Sequence, residues 1–422
     1  MAGLTDDCFA ADDRLLAPEA AAAMILARVP APGGSERVPL LAAQGRVLAG
    51  DLHAPRPLPP FRNSAVDGYA FRHADLAAIG GTRLALDGRT AAGQPAGAPL
   101  PPGGARRILT GAPMPAGADT VLMQEDARLE GDALLLPPGA SRGLAAGAHC
   151  RAAGEDVAGG ALALADGTRL GPAAIALAAA LGLPELPVRP RPRIGVFSTG
   201  DELVPPGAPL GPAQTYDSNR FALLALLAGL PVEPVDLGIL PDDRAATRRA
   251  LRAAAEGHDM LLTSGGVSAG EEDHVRAAIA AEGRLVFWRL AVKPGRPAAM
   301  GVVAGVPVLG LPGNPVAAFV AFLNLARPLA LRLCGAAQEP PPRFLAEAGF
   351  HHRKKAGRRE YLRVALERRE GLLPPLAHAF PREGSGLLTS LTRSHAFAEI
   401  PEAATEVAPG ERLAVLPFAA LF

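Results

Sequence analysis

The sequence IGVFSTGDEL, residues 194–203, opens the stretch that decides the fold of this 422-residue chain. Over about 140 residues, short apolar runs that predict buried strands alternate with longer runs that predict helices. The predicted strands are IGVFS, VEPVDLGIL, DMLLTS, VFWRLAV, AAMGVV and VPVLGL, and the predicted helices begin near Ser218, Asp243, Asp273 and Val316. This alternation indicates a three-layer α/β domain, in which helices cover both faces of a mainly parallel sheet.

The segments on either side of this stretch predict mostly β structure. Before it come a helical run, PEAAAAMILARV, a short strand unit and the proline-rich connector PRPLPPF. Short apolar runs separated by Gly and Pro, from Phe61 to about Gly147, predict a β-rich domain. Residues 148–188 add short turns and one apolar helix that ends at Gly182. After Gly335, the linker QEPPPR leads into about 80 residues whose short alternating strands predict a small β-barrel.

Composition excludes several classes of protein. The 42 Lys and Arg residues balance 42 Asp and Glu residues, which argues against a protein that binds a nucleic-acid backbone. Cys8, Cys150 and Cys334 are far apart and form no C-x-x-C pair, so neither a disulfide framework nor a structural zinc site is predicted. The amino terminus lacks the pattern of a secretory signal, and the apolar stretch from Val316 to Leu323 is shorter than a membrane span. We therefore expect a soluble cytoplasmic protein with no membrane partner.

Acidic residues concentrate in the loops that follow the predicted strands. In an open α/β sheet these loops meet at one edge, where ligands bind. Glu202, Asp242 and Asp273 each belong to such a loop. Because carboxylates at one edge repel one another unless a cation or a proton neutralises them, the sequence favours a hard divalent metal ion such as Mg²⁺ here.

The loop SGGVSAGEED, residues 264–273, follows a strand and opens a helix. Its glycines allow a ligand to approach the backbone, and the free amides of a helix amino terminus favour a phosphate or another oxyanion. The alternative is a well-capped strand-to-helix turn with no ligand, because Ser268 and Glu271 have the spacing of a capping box. The candidate binding residues in this loop are Ser264, Gly265, Gly266, Ser268 and Gly270.

Lys293 and the PGNP loop are the other candidates at strand ends. The chain has three lysines against 39 arginines, so a lysine that follows a buried strand suggests a specific task, such as pairing with phosphate, rather than a surface charge. Pro312, Gly313, Asn314 and Pro315 predict a rigid turn whose polar groups are fixed in advance, although an ordinary rigid loop has the same pattern.

Several further signals are weak when taken alone. Asp67-Gly68 has the pattern of a hairpin turn, and the sequence around Thr110 that of an ordinary turn. The basic run from Arg353 to Arg359 suggests a solvated loop or a contribution to an anion site. No Walker A, G-x-G-x-x-G, G-x-S-x-G or H-E-x-x-H motif occurs, which lowers the case for nucleotide hydrolysis, dinucleotide redox chemistry and the hydrolases that those motifs mark.

Taken in order, the motifs resemble those of the molybdopterin molybdenumtransferase family, which includes MoeA and the gephyrin E domain. The resemblance covers nearly the whole chain and rests on seven motifs: NSAVDGYA, TGAPMPAGAD, FSTGDEL, YDSNR, TSGGVSAGEED, FWRLAVKPGRP and GLPGNP. It implies four domains. They are a segmented elongated domain of residues 1–58 and 147–188, a β-rich domain of 59–146, an α/β molybdopterin-binding domain of 189–336 and a carboxy-terminal β-barrel of 337–422.

The resemblance also implies an activity. The family inserts molybdate into adenylylated molybdopterin in a Mg²⁺-dependent reaction that releases AMP, and its site lies between the subunits of a homodimer. Further implied partners are the molybdopterin adenylyltransferase and the acceptor molybdoenzymes. The catalytic positions carried over are Asp67, Thr110, Glu202, Asp242, Asp273 and Lys293, with Glu202, Asp242 and Asp273 as metal ligands. Substrate-binding positions carried over besides the two loops are Arg289, Arg296, Arg363 and Ser385.

Arg289 and Arg296 depart from the family, which often has Lys at both positions, and a planar guanidinium does not simply replace a compact ammonium. Two other functions remain open. One is molybdopterin adenylylation, carried out by proteins that share the α/β domain but usually consist of that domain alone. The other is a non-catalytic scaffold, a role that gephyrin also has. Adenylylation of molybdopterin by the pure protein would favour the first, and full activity without Asp67 and Lys293 would favour the second.

Overall fold

A computed structural model describes residues 15–29, 32–266, 274–337, 340–371 and 373–421. At its centre is a six-stranded sheet, in which four adjacent strands run parallel and two antiparallel strands complete one edge. In spatial order the strands are Glu233–Leu240, Arg193–Thr199, Met260–Ser264, Val306–Leu311, Pro297–Val303 and Gly283–Arg289. Ser198 lies opposite Ser264, and Ser264 opposite Leu311, so the carboxyl ends of these strands are level. The predicted mainly parallel sheet is confirmed.

Helices cover both faces of this sheet, because side chains alternate between its faces. Val196 packs in one apolar cluster with helices at Leu223 and Val320, whereas Phe197 packs in another with helices at Leu251 and Val275. The helices are Asn219–Ala228, Arg244–Ala255, His274–Glu282, Pro315–Ala321 and Arg327–Leu333, with a π-helical turn at Phe322–Ala326 joining the last two. The three-layer α/β architecture is therefore as predicted.

The helix formed by residues Pro315–Leu333 lies in the core of this domain. Among the described residues it is the one helix long and apolar enough to cross a membrane by length and composition. Its most apolar 18-residue part is 67% buried inside the protein. The apolar run is thus longer than the sequence analysis expected, because Asn324, Arg327 and Pro328 do not interrupt the helix.

The β-rich domain contains a second six-stranded sheet. In spatial order its strands are Thr120–Met123, Gly68–Phe71, Gly104–Ile108, Thr82–Thr90, Ala133–Leu136 and Arg128–Glu130. One pair is parallel and the others are antiparallel. Phe71, Leu84 and Leu134 are among the buried residues that form its core on one face.

Two segments that are distant in the sequence pair with each other. Glu36–Pro39 pairs with Glu185–Val188, and Leu52–His53 pairs with Leu162–Leu164. The remaining short elements near them are the helices Leu40–Ala43, Ala140–Gly143 and Pro172–Ala180 and the strand pair Asn63–Ser64 with Cys150–Arg151. The helix Pro18–Arg28 instead packs on the α/β domain, where Ala21 and Val29 join the apolar cluster that contains Leu329. The predicted boundary at residue 58 assigns this helix to the elongated domain, although the helix packs on the α/β domain.

The carboxy-terminal strands close into a five-stranded barrel. Around the barrel they are Arg359–Glu367, Leu376–Ala379, Phe344–Ala348, Arg412–Pro417 and Ala396–Ile400, and the last pairs again with the first. A sixth strand comes from the α/β domain, because Val292–Lys293 pairs in parallel with Arg359–Glu360. The predicted barrel is confirmed, and one ladder of hydrogen bonds joins it to the α/β domain.

The other elements of the described residues are short. They are the strand pairs His352–Arg353 with Glu406–Val407 and Leu203–Val204 with Thr215–Tyr216, the helix Thr389–Thr392, and 3₁₀ turns at His73–Asp75, Gln124–Asp126 and Phe418–Ala420.

Candidate active site

Two neighbouring cavities lie where the α/β domain meets the barrel, and the PGNP loop forms part of the wall of both. Gly313 and Pro315 line the first cavity, whereas Pro312 and Asn314 line the second. The barrel loop is shared in the same way, with Gly386 in the first cavity and Ser385 in the second. The backbone amide of Val316 donates to the Ser385 carbonyl at 2.9 Å, which fixes the two loops together. The predicted rigid turn therefore separates two compartments.

The first cavity, of about 320 Å³, is lined by hydroxyls and carboxylates. Within the part of the chain that the structure describes, no Lys or Arg side chain lines it. The polar lining residues are Ser198, Thr199, Glu202, Thr215, Tyr216, Asp217, Ser218, Asn219 and Ser264. Asn219 holds three loops in place, because its Nδ2 donates to Ser264 Oγ at 2.8 Å and to the Gly313 carbonyl at 2.6 Å. A lining of this kind presents hydrogen-bond acceptors to a ligand and negative charge to a cation.

The beginning of the glycine loop lies at the first cavity, where Gly265 is a lining residue and Gly266 is next to Thr199. Gly266 has φ +66°, and a Cβ there would lie 2.7 Å from Val275 Cγ2 and 2.9 Å from Thr199 Oγ1. Any larger residue would be strained at this position and would force the side chains of Val275 and Thr199 to move. The predicted site residues Ser268, Gly270 and Asp273 lie outside the described residues, and the structure places only Ser264, Gly265 and Gly266 of the five loop candidates.

The carboxylates of Asp201 and Glu202 are near enough to Asp242 to interact with its charge. The backbone amide of Asp242 donates to Asp201 Oδ1 at 3.0 Å, and Glu202 lines the cavity itself. Partial burial raises the pKa of Asp242, and the negative charges of Asp201 and Glu202 raise it further. Asp201 was not among the predicted site residues, although it lies next to Glu202 in the same strand-end loop.

This mutual repulsion fits the predicted need for a cation. Among the described residues, no three His, Cys, Asp or Glu side chains converge closely enough to form a metal site. Glu202 and Asp242 are neighbours, and the third predicted ligand, Asp273, is not described. The Mg²⁺ site therefore stays a prediction, which the raised pKa of Asp242 supports.

The second cavity, of about 580 Å³, carries the opposite charge. Four cationic side chains line it, together with two carboxylates and one histidine: Lys293, Arg296, Arg358, Arg363, Glu360, Glu383 and His352. Three of the four cations come from predicted positions, namely Lys293, Arg296 and Arg363. Clustered cations within one concave surface attract anions and can bind their oxygens through charge-assisted hydrogen bonds.

The barrel contributes Arg363 and Ser385 to the lining of this cavity. Arg363 is 7% exposed, and its guanidinium donates to Ser390 Oγ and to the carbonyls of Arg382 and Gly384. Burial lowers the pKa of Arg363, and the Glu383 carboxylate opposes that effect. The guanidinium holds the barrel loop in the conformation that places Ser385 beside the PGNP loop.

The basic residues between Arg353 and Arg359 lie in different environments. Arg358 lines the second cavity, and Lys355 is exposed outside it. Lys354 is buried, and its ammonium donates to the carbonyls of Pro401, Glu402 and Ala404. Arg359 forms ion pairs with Glu19, Glu399 and Glu402. The expectation of a solvated loop holds for part of the run only, because the strand Arg359–Glu367 begins inside it.

A buried ion pair supports the wall of the first cavity. Arg220 donates to Asp217 Oδ2 at 2.7 Å and also pairs with Asp236, while Ser198 Oγ donates to Asp217 Oδ1 at 3.0 Å. Asp217 is 1% exposed and Arg220 5%. The YDSNR motif thus joins a strand end, a helix start and the neighbouring strand.

Asp67 and Thr110 form a separate pair in the β-rich domain. The backbone amide and the hydroxyl of Thr110 both donate to Asp67 Oδ1 at 2.7 Å, and these two hydrogen bonds lower the pKa of Asp67. Asp67 is not in a hairpin: Asn63–Ser64 and Gly68–Phe71, on either side of it, pair with different strands. Neither Asp67 nor Thr110 lines either cavity of its own chain. Arg289 likewise lines neither cavity.

Family comparisons match the chain along most of its length. Residues 16–182 match the family model described as the MoeA N-terminal region (domain I and II), residues 195–332 a probable molybdopterin binding domain, and residues 346–418 the MoeA C-terminal region (domain IV).

Individual relatives are similar over nearly their whole length. A molybdopterin molybdenumtransferase of Haemophilus influenzae is 37% identical over 410 residues, covering 96% of this chain and 99% of the relative. Molybdopterin molybdenumtransferase 2 of Mycobacterium tuberculosis is 37% identical over 391 residues, covering 90% and 94%. The crystal structure of a molybdopterin biosynthesis MoeA protein from Pyrococcus horikoshii OT3 superposes with a TM-score of 0.81 at 30% identity, covering 96% of this chain and 100% of that one.

Proposed function

Because this chain belongs to the molybdopterin molybdenumtransferase (MoeA) family of molybdenum-cofactor biosynthesis, we propose that its two cavities bind the two substrates separately. In this proposal the cation-lined cavity takes molybdate and the cavity lined by hydroxyls and carboxylates takes adenylylated molybdopterin. The observation that carries the proposal is the opposite charge of two cavities that share the PGNP loop as a wall. Molybdate is a dianion, so only the cavity lined by Lys293, Arg296, Arg358 and Arg363 offsets its charge.

The pterin end of the second substrate suits the first cavity. Its ring N–H groups are hydrogen-bond donors, and the cavity presents acceptors from Asp217 and from side-chain hydroxyls. The phosphate of the same substrate is anionic, and the glycine loop after Ser264 can approach it through its backbone. The PGNP loop then holds the dithiolene between the two compartments, within reach of the bound oxyanion.

Mg²⁺ is the proposed cofactor, and Glu202, Asp242 and Asp273 are its proposed ligands, with Asp201 beside them. When bound, the ion would offset phosphate charge as the phosphoanhydride is cleaved and AMP is released. The residues of the chain have the remaining tasks: Lys293 and the arginines orient molybdate, and Asn219 keeps the three loops at fixed separation.

The reaction itself tests this function. The purified protein is supplied with adenylylated molybdopterin, molybdate and Mg²⁺, and both AMP release and reconstitution of an apo-molybdoenzyme are measured. We expect both products. Adenylylation of molybdopterin from ATP without molybdate insertion would instead assign the protein to the preceding step, and failure to form either product would overturn the proposal.

We further propose that Asp67 and Thr110 complete the site of a partner subunit in a homodimer. The support is their position: the hydrogen-bonded pair lies outside both cavities of its own chain, although the resemblance assigns both residues to the site. Equal mixing of Asp67→Ala and Lys293→Ala subunits would leave half of the dimers mixed, each with one complete site.

We expect such a mixture to recover about one quarter of wild-type AMP release after subunit exchange, because half of the dimers carry half of their sites. Mixing Glu202→Ala with Lys293→Ala is the control, since both residues belong to the same half of the site and no mixed dimer has a complete one. Equal activity in the two mixtures would contradict an inter-subunit site.

Magnesium binding can be tested by thermal unfolding. Because the pKa of Asp242 is raised, its charged form is destabilised in the folded metal-free protein, and this cost is present above the folded pKa and absent in acid. Asp242→Asn should therefore raise the Tm of the metal-free protein at pH 7 by about 1 °C, a small gain because the carboxylate is partly solvated. Mg²⁺ should raise the Tm of the wild type more than that of the variant. Equal Mg²⁺ shifts would exclude Asp242 as a ligand.

The same proposal includes a cytoplasmic location and a step that comes after one protein and before another in the reaction sequence. The substrate must come from an enzyme that adenylylates molybdopterin, and the product must pass to an acceptor molybdoenzyme. A reaction with soluble, charged substrates fits the cytoplasm.

A further inference from the structure

A buried carboxylate lies in the wall of the cation-lined cavity, where it opposes the binding of an anion. Glu360 is 2% exposed. Its Oε2 accepts from Lys293 Nζ at 3.3 Å and lies 3.0 Å from His352 Nε2. All three side chains line the cavity. One carboxylate oxygen therefore connects the lysine that faces the ligand with a histidine that faces the same space.

The backbone fixes the geometry of this group. Lys293 lies directly opposite Glu360 in the parallel ladder that joins the α/β domain to the barrel, so the two side chains start from neighbouring positions. His352 is on the short strand His352–Arg353, which pairs with Glu406–Val407, and its side chain is 10% exposed. The Lys293 side chain is 41% exposed, and its flexible stem has many conformations in the absence of a partner. The contact with Glu360 selects among them.

The charge of Glu360 has a second effect. A carboxylate beside Lys293 cancels part of the positive potential that the cavity offers to a dianion, and in a partly desolvated site this reduction is larger than in water. A site that must give its oxyanion to a second substrate gains nothing from binding it as tightly as possible, because only interactions stronger in the transition state speed the reaction.

We propose that Glu360 and His352 are positioning residues that hold the Lys293 ammonium in the cation-lined cavity and weaken its grip on the oxyanion, so that the oxyanion can be transferred. This inference rests on the proposed function, in which the cavity binds molybdate. His352 supports Glu360 by donating to it. Without that donor, the buried carboxylate loses one of the two side-chain hydrogen bonds described above and draws the ammonium away from the ligand.

The two residues should give opposite effects on molybdate affinity. Glu360→Gln removes the negative charge and keeps the shape, so we expect molybdate, measured by calorimetry at low ionic strength, to bind about fivefold more tightly. The gain should shrink as salt is added. The kcat for AMP release should fall about tenfold, because a neutral amide orients the ammonium less firmly than a carboxylate does. His352→Ala should weaken molybdate binding about threefold, and His352→Gln, which keeps a donor, should restore it.

The chain offers a matched control on the same strand. Glu367 lies seven residues after Glu360 and pairs with His378 at 2.6 Å, but both side chains are exposed and Glu367 lines neither cavity. Seven strand residues span about 23 Å. Glu367→Gln therefore removes the same charge from the same kind of pair far from Lys293, and it should leave both the Kd for molybdate and kcat unchanged.

Glu360→Gln with the same Kd and kcat as Glu367→Gln would overturn the inference, and so would weaker molybdate binding in that variant. If Glu360→Gln does not fold, the His352 pair decides, because equal Kd values for His352→Ala and His352→Gln would also overturn it. If either result is found but the wild-type protein inserts molybdate, the inference fails and the proposed function stands. A wild-type protein that neither binds nor inserts molybdate would overturn both.

Discussion

Replacing Lys293 by glutamine is expected to lower kcat/KM for molybdate insertion about 100-fold, since the loss of a fixed donor that stabilises transferring negative charge typically costs this much. Lys293 lines the cation-lined cavity and is held there by Glu360. Arg363 cannot take over its role, because hydrogen bonds to the barrel loop already fix its guanidinium. AMP release at varied molybdate concentration measures the effect.

Lys355→Gln is the control for this prediction. Lys355 is one of only three lysines, and it is exposed outside the cavity. Its replacement removes the same charge from the chain but should change kcat/KM less than about twofold, because water and salt screen the charge of an exposed side chain. Similar losses in the two variants would mean that overall charge, rather than the position of Lys293, controls the reaction.

Arg220→Met is expected to reduce the free energy of unfolding of the α/β domain by about 3–5 kcal/mol, since it leaves a buried carboxylate without its partner. The carboxylate is that of Asp217, which is 1% exposed and would keep only its contacts with Ser198 and the local backbone. Urea unfolding followed by tryptophan fluorescence reports on this domain, because the only tryptophan, Trp288, is on its strand Gly283–Arg289.

Two comparisons separate the buried charge from other causes. Glu233→Gln breaks an exposed ion pair with Arg193 in the same domain, and should cost less than about 1 kcal/mol. The double variant Asp217→Asn with Arg220→Met removes both buried charges and should recover most of the loss. No recovery in the double variant would show that Arg220 stabilises the domain by packing instead.

The strands and helices of the α/β domain could be predicted because each has a strong local pattern. IGVFS and DMLLTS are apolar runs that end in polar strand-end loops, and Asp243 caps its helix by accepting from the Ala246 amide, as a residue at a helix start does. The positions of Lys293 and the PGNP loop followed from the same patterns, because loops after parallel strands meet at one edge.

The rest depends on contacts between distant segments. The division into two cavities required the barrel loop at Ser385 to pack on the PGNP loop, and no local pattern indicates which loops will meet. Asp67-Gly68 has the composition of a hairpin turn, but the strand Gly68–Phe71 takes its partners from residues 104–108 and 120–123. Glu360 and His352 were missed because their roles follow from the parallel pairing of two domains. The resemblance supplied Asp67, Thr110, Arg363 and Ser385, which spacing alone could not.

The parallel pairing of Val292–Lys293 with Arg359–Glu360 has a consequence for protein engineering. A chimera that grafts the barrel of a homologue onto this α/β domain must bring a strand whose register places an acid opposite Lys293. A graft shifted by one residue would present the other face of the strand, and the lysine would lose its counter-ion even if both halves folded. The barrel is therefore not an interchangeable module, and a transplanted barrel should bring both Val292–Lys293 and the strand that pairs with it.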